Sequence, residues 1–151
     1  MFSYLTLTDS LTSLQFTKTN ILAQGNAVKV LSNILINIKN LEEVVLNKCG
    51  LDEPKCKILA DALMRMKKLR IFRINMQKGL GQGISSIIYN LSFNPNLVLL
   101  DLGEISIEAR RGGVTGNNET IVSLYKMLKI SASIEILKLN NIFGLNNSFT
   151  R

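Results

Sequence analysis

The feature of this chain that most constrains its fold is a short apolar pattern that recurs along its length. Each copy places apolar residues at its first, fourth and sixth positions, and clear copies begin at Leu41, Leu69, Leu97 and Ile134. A weaker copy begins at Leu11. Because similar units at intervals of roughly 30 residues cannot bury their apolar faces alone, we expect five units that stack into one core.

The second unit shows how each copy is expected to fold. Alternate side chains of a strand point to opposite faces, so Val44 and Leu46 share the core face. Gly50 then favours a turn, Asp52 is typical of a helix N-cap, and Pro54 fits the first helical turn. We expect a helix over 55–68, whose apolar face consists of Ile58, Leu59, Ala62, Leu63 and Met66.

Other units repeat the alternation of strand and helix. A helix between two strands returns the chain to the same end of the sheet, so we expect the strands to be parallel and the fold class to be α/β. The inward-facing helical residues are predicted to be Val28, Leu31, Leu35 and Ile38 in the first unit, Ile84, Ile87, Ile88 and Leu91 in the third, and Ile121, Leu124 and Leu128 in the fourth.

The segment Leu46-Asn-Lys-Cys49-Gly-Leu51 adds a cysteine at a fixed distance after the pattern. Together with the recurring copies, it resembles the leucine-rich repeat family, of the ribonuclease-inhibitor-like type, over roughly residues 11–145. The resemblance implies a solenoid that forms a partial right-handed horseshoe, with parallel strands on the concave face and helices on the convex face. The family usually has Asn or Cys at this position, and the residues that depart from it are Thr19, Gln77, Ile105 and Ile142.

Length and charge narrow the class of protein. With 151 residues, of which 46% are apolar, we expect a single leucine-rich repeat domain over 1–151, which could be a fragment of a longer array. The net charge of +7 favours a protein partner with an acidic surface, whereas nucleic acid is an open but less favoured alternative. The longest aliphatic run, residues 97–100, is far too short to span a membrane, so no membrane partner is expected.

The residue types available argue against catalysis. The chain has no histidine, which removes the usual general base and the imidazole ligand of metal sites. Cys49 and Cys56 lack further soft ligands and are interpreted as buried free thiols, which suits a reducing compartment. We therefore predict no enzyme, no catalytic residue, no metal and no cofactor. The first residues have no basic leader, so a cytoplasmic protein is expected.

Stacking of the units would align equivalent residues on neighbouring strands, about 4.8 Å apart. The row Ile71, Leu99 and Ile136 is expected to face outward, bordered by the alternating charges of Arg73, Asp101 and Lys138. An apolar patch with a polar border is typical of a protein-binding site. The alternative is that an inserted loop or the rest of a longer protein covers it. The complete rows are Ser13, Glu43, Ile71, Leu99 and Ile136, and Gln15, Val45, Arg73, Asp101 and Lys138.

Two further basic segments are candidates for partner contacts. Arg110 and Arg111 lie in the longer interval before the last unit, where an inserted loop could present them to carboxylates or phosphates. An unstructured spacer is the alternative there. The other segment has no acid among its cations, which are Arg65, Lys67, Lys68, Arg70, Arg73 and Lys78.

The last strand is followed by too few residues for another helix. An open parallel edge is a pairing hazard, so a partner or missing sequence is expected to cover the C-terminal edge.

These observations favour a noncatalytic protein-interaction module, a scaffold or adaptor subunit of a larger assembly. The resemblance implies relatives that bind ribonucleases, small GTPases or cytoskeletal and ciliary complexes, so a cytoskeletal or ciliary location is one expectation. The alternatives are a regulator of an enzyme, either GTPase-activating or ribonuclease-inhibitor-like, and a basic protein associated with nucleic acid.

Overall fold

The computed structural model describes residues 10–107 and 117–143. Within these residues the protein is an α/β structure in which strands and helices alternate. The strands are β1 (Ser13–Thr17), β2 (Glu43–Asn47), β3 (Ile71–Arg73), β4 (Leu99–Asp101) and β5 (Ile136–Lys138). The α-helices are α1 (Ala27–Asn37), α2 (Glu53–Arg65), α3 (Gly83–Leu91) and α4 (Asn117–Ile130), and a 3-10 helix (Ile21–Ala23) precedes α1.

All five strands form one parallel sheet, in the order β1-β2-β3-β4-β5. Crossover connections of the same handedness place all their helices on one face of such a sheet. On that face α1 packs against α2, α2 against α3, and α3 against α4. The predicted α/β class with parallel strands is confirmed. The unit boundaries and the single domain over 1–151 stay predictions.

Local sequence signals of the second unit act as expected. The Asp52 side chain accepts a hydrogen bond of 3.2 Å from the Lys55 amide, and Pro54 lies in the first turn of α2. Gly50 adopts a φ of +81°, and a Cβ there would lie 2.8 Å from the Cβ of Ala23. The helix starts at Glu53 and ends at Arg65, earlier than predicted, because the chain must turn before it enters β3.

The core lies between the sheet and the helices. Its strand side contains Val44, Phe72 and Leu100, which occupy the same position in successive strands and have no exposed surface. The prediction for the last helix was wrong at Leu128, which is exposed, while Met127 is buried in its place. On the opposite side of the sheet lie the side chains that alternate with the core residues.

A left-handed residue occurs at the same place in every unit, shortly after the strand. In the first four units its amide continues the parallel ladder into the next unit, as in the hydrogen bond of 2.9 Å from the Lys48 amide to the Asn75 carbonyl. A non-glycine residue with positive φ costs roughly 1–2 kcal/mol, which the continued ladder offsets. The five residues are Lys18, Lys48, Met76, Glu104 and Asn141, with φ between 52° and 57°.

Candidate functional site

The candidate site is the sheet face that points away from the helices, which we call the open face. Ile71, Leu99 and Ile136 lie in direct register on β3, β4 and β5. The strand register therefore places the predicted apolar row on adjacent strands. Whether these residues bind a partner stays a prediction.

Burial differs along this row. Ile136 is 44% exposed and Ile71 is half-buried, but Leu99 is only 8% exposed, contrary to the expectation that it faces solvent freely. Leu99 lies between the other two and is covered by its neighbours. The three side chains form part of a groove of about 370 Å³, whose lining residues are Thr12, Ser13, Glu42, Glu43, Arg70, Ile71, Val98, Leu99 and Ile136.

The charges beside the groove bind one another. The Arg73 guanidinium lies 3.9 Å from a Glu43 oxygen and 3.8 Å from an Asp101 oxygen. Asp101 is buried, and its Oδ1 also accepts a hydrogen bond of 3.1 Å from the Gly103 amide. Arg73 is therefore paired with carboxylates across the strands, and whether Arg73 and Asp101 also contact a partner stays a prediction. Lys138 remains exposed on β5.

Sequence reasoning missed the polar end of the groove. Glu43 accepts hydrogen bonds from the Ser13 hydroxyl at 2.7 Å and from the Gln15 amide nitrogen at 3.2 Å. Beside it, the exposed Arg70 guanidinium lies 3.8 Å from a carboxylate oxygen of Glu42. The strand register would have predicted this cluster, since Ser13 pairs with Glu43 and Gln15 lies two residues further along β1. Glu42 and Arg70 occupy the same position of the second and third units.

The basic segment around β3 does not form one surface. Arg65 is the last residue of α2, and Arg70 directly precedes β3, so both lie near the amino end of β3. Lys78 follows β3 and lies beyond its carboxyl end. Arg73 lies on the open face, where it forms ion pairs with Glu43 and Asp101. Arg110 and Arg111, the other predicted contacts, lie outside the described residues.

Both cysteines are buried free thiols. Burial raises the pKa of Cys49 to about 11, although hydrogen bonds with Thr19 oppose the shift. Burial also raises the pKa of Cys56, and the carboxylates of Asp52 and Glu53 add to the effect. A thiol with a raised pKa is a poor nucleophile at neutral pH.

The described residues contain neither a cluster suited to a metal ion nor a helix suited to a membrane. Among residues 10–107 and 117–143, no cluster of three or more acidic or cysteine side chains is arranged to hold a metal ion. In the same part of the chain, no helix has the length and apolar character needed to cross a bilayer.

No protein-family model matches the chain. NLR family CARD domain-containing protein 4 of Rattus norvegicus is 34% identical over 65 residues, which cover 43% of this chain and 6% of that protein. The Mus musculus protein of the same name is 29% identical over 97 residues, covering 63% of this chain and 9% of that protein. The chain thus spans less than a tenth of the length of these curated relatives.

Two solved structures share the fold. The tropomodulin C-terminal domain from Caenorhabditis elegans has a TM-score of 0.63 at 10% identity, covering 92% of this chain and 80% of that one. A structure described as leiomodin-1 actin-binding site 2 has a TM-score of 0.63 at 17% identity, covering 91% and 75%. At such low identity these likenesses show the fold alone. A family of the leucine-rich repeat type is consistent with all four comparisons.

Proposed function

We propose that this protein is a noncatalytic protein-interaction module, a scaffold or adaptor in a cytoskeletal assembly, that binds its partner through the open face. The observation that carries the proposal is the groove in which Ile71, Leu99 and Ile136 form an apolar floor. Polar and charged side chains border this floor at its β1–β2 end. An apolar centre with a polar rim is the arrangement in which a few buried side chains supply most of the binding energy.

The comparisons suggest which partner to test first. One solved neighbour is described as an actin-binding site, and the other is a domain of tropomodulin. Actin is therefore the first candidate, and a cytoskeletal, cytoplasmic location is part of the proposal. We further propose that the units are leucine-rich repeats of the ribonuclease-inhibitor-like type. The open face would then be the concave face of a partial horseshoe.

Charge supports a partner with an acidic surface near the carboxyl ends of the strands. Lys18, Lys48 and Lys78 are exposed there, and none of them forms an ion pair with another described residue. These lysines lie in the turns after the first three strands, so a partner that extends from the groove along the strands would reach them. Nucleic acid is less well supported as a partner, because the cations of the basic segment around β3 are divided between the two ends of the strand.

The test is direct binding of the full chain to actin. Ile71→Lys removes the apolar floor of the groove, while the new cation lies beside Glu43 in register, so the fold should persist. We expect at least about tenfold weaker binding, because loss of one central apolar contact costs more than about 1.4 kcal/mol. Co-sedimentation with filaments and fluorescence anisotropy with labelled monomers measure the two forms of actin.

The matched control is Ile36→Lys on α1, which changes an exposed residue of the same type on the helical side. It should bind like the unmodified protein. If the unmodified protein binds neither form of actin, the proposed cytoskeletal role is wrong. If Ile71→Lys binds as tightly as the control, the groove is not the binding site.

A further inference from the structure

The left-handed residue after each strand has a long side chain in four of the five units. A left-handed backbone favours glycine, because a Cβ there lies too close to the following carbonyl oxygen, and asparagine is the next best fit. Asn141 in the last unit follows this preference, whereas the earlier units have Lys18, Lys48, Met76 and Glu104. The turn alone does not explain these side chains, and backbone outliers of this kind are concentrated at functional sites.

The fold uses the backbone of these residues rather than their side chains. The amides of Lys18, Lys48 and Glu104 donate hydrogen bonds of 2.8, 2.9 and 2.8 Å to carbonyls of the next unit. The side chains of the same three residues are exposed and form no ion pair with another described residue. Met76 is 40% exposed. All four side chains are therefore accessible to a partner.

The same hydrogen bonds arrange the four residues in one row at the carboxyl ends of the strands. Each amide bonds to the residue directly before the next left-handed residue, as the Met76 amide does to the Gly103 carbonyl at 3.2 Å. The four residues therefore follow the order of the strands, about 4.8 Å apart. We call Lys18, Lys48, Met76 and Glu104 the strand-end row.

The middle of the strand-end row opens into a cleft of about 570 Å³. Met76 lines this cleft, with the cation of Lys48 before it in the row and the anion of Glu104 after it. Lys78 adds a second cation to the lining. The row therefore changes from positive, through apolar, to negative. The complete lining is Lys48, Met76, Gln77, Lys78, Glu104, Ser106 and Phe143.

We propose that the strand-end row binds an extended peptide segment of a partner protein, in which two acidic residues, an apolar residue and a basic residue follow one another. Charge complementarity selects this occupant, since the acids meet Lys18 and Lys48 and the base meets Glu104. The apolar residue meets Met76 in the cleft. The row spans three strand spacings, about 14 Å, which an extended chain covers with roughly four residues.

This surface is distinct from the groove of the open face. The cleft and the groove share no lining residue. The strand-end row therefore goes beyond the proposed function, because it adds a second recognition site with its own ligand. Glu104 within the row disfavours a uniformly acidic ligand, which it would repel.

The test is binding of the full chain to a blocked, labelled synthetic peptide that has two aspartates, one leucine and one lysine in this order, with serines as spacers. Fluorescence anisotropy at low ionic strength should show saturable binding. The control peptide has the same composition, with the lysine placed between the two aspartates. It should bind at least about fivefold more weakly, because its charges match the row in neither direction.

Lys48→Glu reverses a charge beside the cleft and should raise the dissociation constant of the first peptide at least about fivefold. The fold should tolerate this change, because Glu104 already occupies the equivalent left-handed place. The matched control is Lys39→Glu, which makes the same charge change at an exposed lysine before β2, at the other end of the sheet. It should bind like the unmodified protein.

Met76→Gly separates recognition from folding. It removes the apolar side chain but suits the left-handed backbone, so binding should weaken at least about fivefold while the urea midpoint stays close to that of the unmodified protein. Glu104→Lys should bind more tightly a peptide in which glutamate replaces the lysine.

Four results would each overturn the proposal. They are an absence of saturable binding, equal binding of the two peptides, Lys48→Glu binding as tightly as Lys39→Glu, and Met76→Gly binding as tightly as the unmodified protein. Actin is absent from these experiments, so their outcome is independent of whether actin binds the open face.

Discussion

The turns that follow β2 and β4 satisfy the same backbone group in two different ways. Leu51 and Ile107 occupy the same position of the second and fourth units. The Leu51 amide donates to a side chain, the Oε1 of Gln77, at 3.3 Å. The Ile107 amide donates instead to a backbone carbonyl, that of Phe143, at 3.0 Å.

This difference explains why the ninth position of the repeat accepts both a polar and an apolar residue. Gln77 occupies it in the third unit and Ile105 in the fourth. Where the side chain at this position supplies the hydrogen bonds, the residue is polar. The side-chain amide of Gln77 also donates a hydrogen bond of 2.7 Å to the Leu46 carbonyl. Where the turns pair through their backbones, the position is free to be apolar, and Ile105 is fully buried. Its own carbonyl accepts from the Phe143 amide at 2.9 Å. The Gln77 carbonyl accepts from the Ser106 amide at 2.8 Å in the same way, so the two turns differ in the partner of the Leu51 and Ile107 amides, which is a side chain for the first and a backbone carbonyl for the second.

The largest effect is expected from Gln77→Leu, which keeps the volume and removes both hydrogen bonds. The Leu46 carbonyl and the Leu51 amide would be left buried without those partners. We expect a loss of about 2–4 kcal/mol in the free energy of unfolding, since each unsatisfied buried group costs roughly 1–3 kcal/mol. Urea denaturation measures it. A loss smaller than that of Ile105→Val, at about 1 kcal/mol, would mean that the Gln77 side chain does not join the turns after β2 and β3.

The reverse change, Ile105→Gln, should cost somewhat less. It buries an amide in a turn whose backbone groups already have partners. We expect a loss of about 1–3 kcal/mol in the free energy of unfolding, from burial of a polar group without compensation. The same urea experiment applies. If Ile105→Gln is neutral, the turn after β4 can use side-chain hydrogen bonds too, and the two turns do not differ as described.

A smaller, pH-dependent effect on the free energy of unfolding is expected at Cys49, which occupies the ninth position of the second unit. Its thiol donates to the Phe16 carbonyl at 3.1 Å, and its pKa is raised to about 11. Because the folded state holds the proton more tightly, this contribution is complete below the ordinary thiol pKa and is lost as pH rises towards 11.

The measurement is the difference in unfolding free energy between the unmodified protein and Cys49→Ala, from pH 8 to pH 10. Subtraction removes the contributions of all other groups, which both proteins share. We expect the advantage of the cysteine to shrink by about 1 kcal/mol, at roughly 1.4 kcal/mol per pKa unit. A constant or growing difference would show that burial does not hold the thiol protonated.

The sequence predicted strand position and register well, because burial of one face leaves a strand little freedom to shift. The pattern aligned Ile71 with Leu99, and Arg73 with Asp101, as the sheet does. Helix bounds were less accurate at α2, and the inward face of α4 was misjudged by one residue. Within the described residues no further unit covers Leu128, so periodicity alone does not separate it from Met127.

The candidate site was predicted only in outline. Register placed the right residues on the open face, but it did not reveal that Arg73 reaches both Glu43 and Asp101. Such cross-strand contacts depend on side-chain length and rotamer, which a one-dimensional pattern does not contain. For the same reason Gln77 looked like a weak copy of the family position, although it makes the hydrogen bonds that this position requires.

The central claim, that the open face is the binding surface, is tested most directly by hydrogen exchange of the full chain with and without bound actin. The account predicts slower exchange at residues 70–73 and 98–101, which line the groove, and unchanged exchange along α1 and α2. Protection confined to the helices, with the groove strands unchanged, would contradict it.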